Sequence, residues 1–420
     1  MGQLLSDRSA RRLFLVSILA RLPLAMFSIA LLVHAERLSS SFAVAGLVTG
    51  AYAISLGVGG PLLGRLVDRR GQRLVLVSSA CVAGVLLGLI AATPVGASPL
   101  VLVVLAAGIG FATPPVGACL RALLPSILSN AGAVRASYAL EATAVELTWV
   151  AGPPLALVLG ALWSTGAALA LGGAVLLAAT AGFAWHPASS GWQPLAPVAS
   201  RRVGSLRSAA MRTLVFVLVA VGVLFGAVEV AVVAAAETNS GSTAAAAPLL
   251  ALWGAGSLAG GLSAARLGGG PASVSGLALM LGALAAGHLA LIAVARNSLA
   301  LGALLFVAGA AIAPTYAAVY AMVDHATPAG TVTEAFAWLA TAIGLGAAAG
   351  AAGAGVLVDV AGPTAAFALA GAAGSAAVIG IATRAGTLAG DEPAGTAVSE
   401  PPDGPSSSPF GKTPTDRTIL

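Results

Sequence analysis

Seven stretches of the chain, residues 74–120, 147–200, 238–265, 267–295, 297–323, 335–358 and 360–383, contain no Asp, Glu, Lys or Arg. A helix needs about 20 apolar residues to cross roughly 30 Å of hydrocarbon, because each residue rises only about 1.5 Å and every backbone N–H and C=O must be satisfied within the segment. On that length the pattern predicts twelve spanning helices, near residues 13–34, 42–64, 74–93, 99–121, 137–160, 164–185, 212–236, 244–265, 272–294, 299–322, 332–357 and 363–383.

Composition agrees with the pattern. Charged residues make up 8% of the chain and hydrophobic residues 58%. A soluble protein carries about a quarter charged residues, so too few polar side chains remain here to cover one large soluble helical core. The predicted fold class is all-α and integral to the membrane. An even number of spans puts both termini on one side, and that side collects 17 of the 20 basic residues, among them Arg8, Arg11, Arg12, Arg65, Arg69, Arg70, Arg73, Arg121 and Arg135. Cytoplasmic loops retain Lys and Arg, so both termini are expected in the cytoplasm, and the basic balance needs no nucleic-acid partner to explain it. The first apolar run is too long for a signal peptide and lacks a small-residue cleavage site. Cys81 and Cys119 both fall in predicted spans, which argues against a disulfide framework. Nineteen Arg against one Lys, with heavy Ala and Gly use, is the composition of a GC-rich bacterial gene.

The longest polar interruption, from about His186 to Ala210, reads as a linker between two six-helix halves. The expected organisation is a cytoplasmic N-terminus at 1–12, a first bundle at 13–186, a cytoplasmic linker at 187–210, a second bundle at 211–384 and a disordered cytoplasmic tail at 385–420. The tail, rich in Gly, Pro, Ser and Thr, has too little apolar area to order itself. The halves echo one another: Gly59, Gly60 and Arg65 recur as Gly260, Gly261 and Arg266, and Gly110 to Pro115 resembles Gly309 to Pro314. Internal duplication favours a transporter, because two repeats rocking about a central site give alternating access.

After the second predicted span the chain reads Gly64-Arg65-Leu66-Val67-Asp68-Arg69-Arg70-Gly71-Gln72-Arg73. This closely resembles the G-x-L-x-D-R-x-G-x-R signature between the second and third helices of the major facilitator superfamily. The resemblance, taken with the bacterial composition, extends over residues 8–384 and implies two pseudo-symmetric six-helix bundles around a central cavity. It implies a cytoplasmic gate at Gly64, Asp68, Arg69, Gly71 and Arg73, with Asp68 facing the positive dipole end of the eleventh helix. That helix here starts Thr331-Val332-Thr333-Glu334, a capping-box pattern. From the residues themselves, Asp68 with Arg69 and Arg73 can form an ion-pair latch, the alternative being a basic loop that only sets the topology. Drug and proton antiporters of the family carry G-x-x-x-G-P-x-x-G-G in the fifth helix, of which only Gly152-Pro153 survives here; a plain helix kink and an antiporter-specific role both fit.

Charges inside spans are costly and mark function by default. Arg21 lies about 12 Å into the first span at 1.5 Å per residue, and is read as paired within the bundle, in contact with substrate, or snorkelling. Glu146, near the midplane of the fifth span, is the first candidate for proton coupling, with Arg21 as its partner. Glu141, five residues earlier, suits a salt bridge with Arg135 or Arg121 as well as a functional role. Glu229 in the seventh span is the second coupling candidate. His288 in the ninth span reads as a satisfied structural histidine, and Asp324, His325 and Glu334 as interfacial loop groups. Thr113, Pro114 and Pro115, with Thr315, Tyr316 and Tyr320, are candidates for the substrate cavity, and Trp149 offers a face to a planar or cationic ligand. Gly46, Gly50, Gly60 and Gly64 in the second span, and Gly346 and Gly350 in the eleventh, are small residues that allow close crossing; in the family these helices meet between the halves.

The function so indicated is proton-coupled export of a small, partly hydrophobic molecule across a bacterial cytoplasmic membrane by a monomeric antiporter without a cofactor. Uptake of a neutral metabolite is the alternative within the class. No G-x-x-x-x-G-K-[ST] phosphate loop or H-E-x-x-H site occurs, which disfavours a transport ATPase and a membrane enzyme or metal site. A receptor or scaffold would need an ordered soluble module.

Overall fold

The computed structural model describes residues 7–128, 130–193, 204–241, 245–269 and 271–388, apart from the side chains at positions 42, 43, 146, 150 and 153. Among the described residues, twelve helices are long and apolar enough to cross a membrane: Arg8–Ser39, Val44–Arg70, Gln72–Ala91, Pro99–Ile127, Ala131–Leu162, Thr165–Ala184, Ala209–Ser240, Ala246–Arg266, Val274–Val294, Ser298–Ala326, Val332–Ala361 and Pro363–Thr383. They are called the first to twelfth spans. Several begin at side-chain caps that satisfy amides the helix cannot: Asp7 accepts from Ser9 N, Asn130 from Ala133 N and Asn297 from Ala300 N. Large apolar side chains such as Leu15, Ile54, Val85, Leu279 and Val356 lie exposed, as expected of a surface solvated by lipid.

Two spans are broken. The fourth consists of Pro99–Ala112 and Val116–Ile127: Pro114 and Pro115 lack amide hydrogens, and Thr113 takes the extended conformation that a following proline enforces. The tenth breaks between Ser298–Gly309 and Ile312–Ala326. These are the segments that echo each other in sequence, and the packing shows why. A Cβ at Gly59 would strike Phe111 O and one at Gly260 would strike Ala310 O; a Cβ at Gly110 would strike Tyr52 O and one at Gly309 would strike Trp253 O. The repeat is therefore a backbone-to-backbone crossing, second span on fourth and eighth span on tenth, that only glycine allows.

The glycines of the eleventh span act differently from expectation. Gly346 and Gly350 do not meet the second span; a Cβ on either would collide with Val219 O or Val223 O of the seventh. Gly46, Gly50 and Gly60 have nothing within 4 Å of such a Cβ, and Gly64 alone of the four faces the eleventh span. Gly350→Ala is accordingly expected to lower unfolding free energy in detergent by about 1–3 kcal/mol through overpacking. Gly355→Ala on the same helix, with open space around it, should leave the thermal transition unchanged; equal effects at both sites would refute this account of the seam.

The buried apolar core reveals how the halves meet. One cluster runs through the whole second half and the first half's residues near the termini, including Leu13, Val67, Leu124 and Tyr138. The rest of the first half, including Phe27, Tyr52, Leu87 and Leu169, forms a separate cluster. The molecule is thus continuous at the end where the first span starts at Arg8 and the twelfth stops at Thr383, here the terminal end, and divided at the far end.

Candidate functional site

At the terminal end the second span is fastened to the start of the eleventh. Asp68, 4% exposed, accepts hydrogen bonds from Glu334 N at 2.9 Å and Thr333 N at 3.2 Å. A carboxylate on helix N-terminal amides satisfies orphan donors and meets the positive end of the helix dipole. Close approach requires Gly64, since a Cβ there would lie 3.0 Å from Glu334 Cα. Gly71 turns the chain between the second and third spans at φ +90°, a region that favours glycine.

Two expectations change here. The latch was expected to join Asp68 to Arg69 and Arg73, yet both arginines lie exposed while Asp68 caps the eleventh span. Thr331 does not form the capping box; its hydroxyl donates to Pro328 O at 2.8 Å, and Asp68 supplies the cap from another helix. Glu334 is correspondingly no loop group: it is 5% exposed, pairs with Arg65 Nε at 3.4 Å and accepts from Ser205 N at 3.3 Å. The far end of the linker is thereby tied to the same latch. Gln72 adds a support absent from the sequence reading, donating to Cys119 O at 3.2 Å and accepting from Ser189 Oγ at 2.9 Å.

Deeper in the terminal half lies a buried charge cluster. Arg121 donates from Nε to Glu141 Oε2 and from Nη2 to Glu141 Oε1, both at 3.0 Å. Arg21 donates from Nη1 to Glu141 Oε1 and from Nε to Ser17 O at 3.1 Å. Side-chain exposures are 11% for Arg21, 8% for Arg121 and 0% for Glu141. Gly117 makes room for both arginines: a Cβ there would lie 3.3 Å from Arg21 Nη1 and 3.8 Å from Arg121 Nη2. This corrects one assignment. Arg121 is not a basic residue of the terminal surface, because the helix restarted at Val116 continues to Ile127 and carries it inward. Arg21 pairs with Glu141. The side chain of Glu146 lies outside the described residues; its position is five residues on, about 140° around the helix.

Rings from the second half cover the cluster. The Arg121 guanidinium carbon is 4.3 Å from the centroid of the Tyr320 ring and 5.8 Å from that of Phe336, a cation–π arrangement. Tyr138, Tyr316 and Phe336 pack around Tyr320 at centroid distances of 6.0, 5.9 and 5.7 Å. Tyr316 continues to Phe225 and thence to Trp253, so aromatic side chains run from the charge cluster toward the far end.

There a cavity of about 890 Å³ lies between the halves. Trp149 and Pro154 line it from the fifth span, and Glu229, Glu237, Trp253 and Asp359 from the second half. Glu229 and Trp149 thus share one cavity. His288 is not part of it. The Trp253 indole, a donor only, gives its hydrogen bond to His288 Nε2 at 3.1 Å, and His288 Nδ1 then donates to Leu284 O at 2.7 Å. Thr113 is buried and donates to Ile109 O at 2.8 Å, and Pro115 immediately precedes the second piece of the fourth span, Val116–Ile127. The fifth helix runs unbroken from Ala131 to Leu162, with Gly152 against Ala25 of the first span; the Pro153 side chain lies outside the described residues.

Comparison with known proteins gives one family, described as the Major Facilitator Superfamily, matching residues 13–286. No curated protein matches the chain in sequence. Among solved structures, the human organic anion transporter MFSD10 (TETRAN) is similar with a TM-score of 0.67 and 18% identity, over 89% of this chain and 100% of that one. A bacterial homologue of the iron transporter ferroportin, in an outward-facing state, is similar with a TM-score of 0.69 and 14% identity, over 90% of this chain and 100% of that one. These identities carry the fold alone.

Proposed function

We propose that this chain, which belongs to the major facilitator superfamily, exports a small, partly hydrophobic molecule across a bacterial cytoplasmic membrane in exchange for protons, with its termini in the cytoplasm. It is a multi-pass membrane transporter and not an enzyme. The observation that carries the finer reading is the pairing of a latched terminal end with a cavity at the far end that holds the Glu229 carboxyl. With the basic residues inside, that cavity faces outward, where Glu229 takes a proton from the medium, and the latch is what must release for substrate to enter from the cytoplasm. Trp149 and Trp253 give the cavity apolar faces suited to a partly hydrophobic solute. Glu146 remains a second proton carrier within this proposal.

Flux of a compound panel in proteoliposomes, with and without a pH gradient, tests it. Glu229→Gln is expected to cut gradient-driven flux by about fivefold to 150-fold, the usual span of a coupling free energy, while leaving exchange without a gradient close to wild type. Wild-type flux indifferent to the gradient would sink proton coupling, and an unchanged variant would remove Glu229 from it.

A further inference from the structure

Resting on the transport reading above, we propose that the substrate is an organic monoanion, a carboxylate carried on a planar apolar body, and that Arg21 and Arg121 receive its head group. Two guanidinium groups share one carboxylate, so the cluster holds an excess positive charge in the membrane interior, where cations are normally paired. Arg121 uses both oxygens of Glu141, and the Nη1 group of Arg21 reaches the same carboxylate. The Nη2 group of Arg21 is buried without a hydrogen-bond partner. Among the described residues, Glu141 is the carboxylate within ion-pair distance of either arginine.

The cover over the cluster belongs to the opposite half. Arg21, Arg121 and Glu141 sit on the first, fourth and fifth spans, whereas Tyr320 and Phe336 sit on the tenth and eleventh. Rocking the halves apart at the terminal end therefore takes the ring faces away from Arg121 and opens the cluster to the cytoplasmic side. The excess charge then has neither ring nor carboxylate to answer it. A carboxylate entering from that side accepts from the free Arg21 Nη2, and the same aromatic side chains, Tyr138, Tyr320 and Phe336, offer faces to a flat apolar body. A neutral or cationic head group would leave the excess charge unanswered or add to it.

The test uses three probes with one ring system, naphthoate, naphthylmethanol and naphthylmethylammonium, bound to the purified full-length protein and read by calorimetry. Naphthoate is expected to bind about tenfold to 100-fold more tightly than the other two, the weight of hydrogen bonds to a charged group. Arg21→Gln should remove that preference while leaving the weaker binding of the alcohol unchanged, and Arg21→Lys should keep part of it. Where Arg21→Gln does not fold, the wild-type ranking and Arg21→Lys decide. Equal or tighter binding of the alcohol or the ammonium, binding of none of the three, or equal loss for all three in Arg21→Gln would overturn the proposal. Gradient-driven flux of the ammonium or alcohol without naphthoate would leave the export reading standing and remove the anion subsite. Selective naphthoate binding with no gradient-driven flux of any probe would do the reverse.

Discussion

Glu141→Gln is expected to cost about 3–5 kcal/mol of stability, the usual loss when one partner of a buried ion pair is removed. The change leaves Arg21 and Arg121 facing each other across Gly117 with no carboxylate between them. Arg21→Gln should cost much less, because Arg121 and Glu141 remain a two-pronged neutral pair. Arg121→Gln falls between the two, losing the doubly bonded partner and the contact with Tyr320. Thermal unfolding of the solubilised variants checks this order. Replacing the cluster whole, with Arg21→Met, Arg121→Leu and Glu141→Leu, should recover most of the stability, since apolar side chains often substitute for a buried ionic network without loss. Transport should not return with it. A stable Glu141→Gln variant, or a triple variant that still transports, would show that the cluster is neither the electrostatic keystone nor part of the path.

The spans were legible because the demand on them is one-dimensional: each needs enough consecutive apolar residues to satisfy its own backbone across the hydrocarbon. The Gly64–Arg73 signature was legible because its residues are contiguous. The charge cluster was not, since its members come from three spans and meet only through packing. Arg121 ended a charge-free run and was therefore counted with the surface arginines; the signal against that was the break at Pro114 and Pro115, which restarts a helix that runs on to Ile127. The pairing of Arg21 with Glu141 was not foreseen, because depth along a span does not say which face of a helix a carboxylate occupies. The glycine repeat was visible as pattern, but its cause, two equivalent backbone crossings, required the partner carbonyls of Phe111 and Ala310. The latch shows a further limit: Thr331-Val332-Thr333-Glu334 has the letters of a capping box, yet the Asp68 carboxylate, 265 positions before Thr333 in the sequence, takes the amides at Thr333 and Glu334.

Asp68→Asn is the change expected to move the access equilibrium most. Asp68 presents two charged oxygens to two amides at the positive end of the eleventh span, and an asparagine keeps one acceptor while turning a donor on the other amide. Hydrogen bonds to charged groups contribute about 1.5–3 kcal/mol, so the terminal-closed state should lose roughly tenfold to 150-fold in population relative to the terminal-open one. Spin labels at the exposed positions Arg73 and Asp324, on the ends of the third and tenth spans, read this as growth of a longer-distance population. Thr331→Ala is the control, because its hydroxyl serves only Pro328 O in its own turn and should leave the distances alone. The contrast separates a latch from a local helix cap: a cap would make both substitutions destabilise the eleventh span without moving the halves, whereas a latch makes Asp68 decisive and Thr331 neutral. Unchanged distances in Asp68→Asn would mean that the apolar contacts around Tyr320 and Phe336 hold the terminal end shut by themselves.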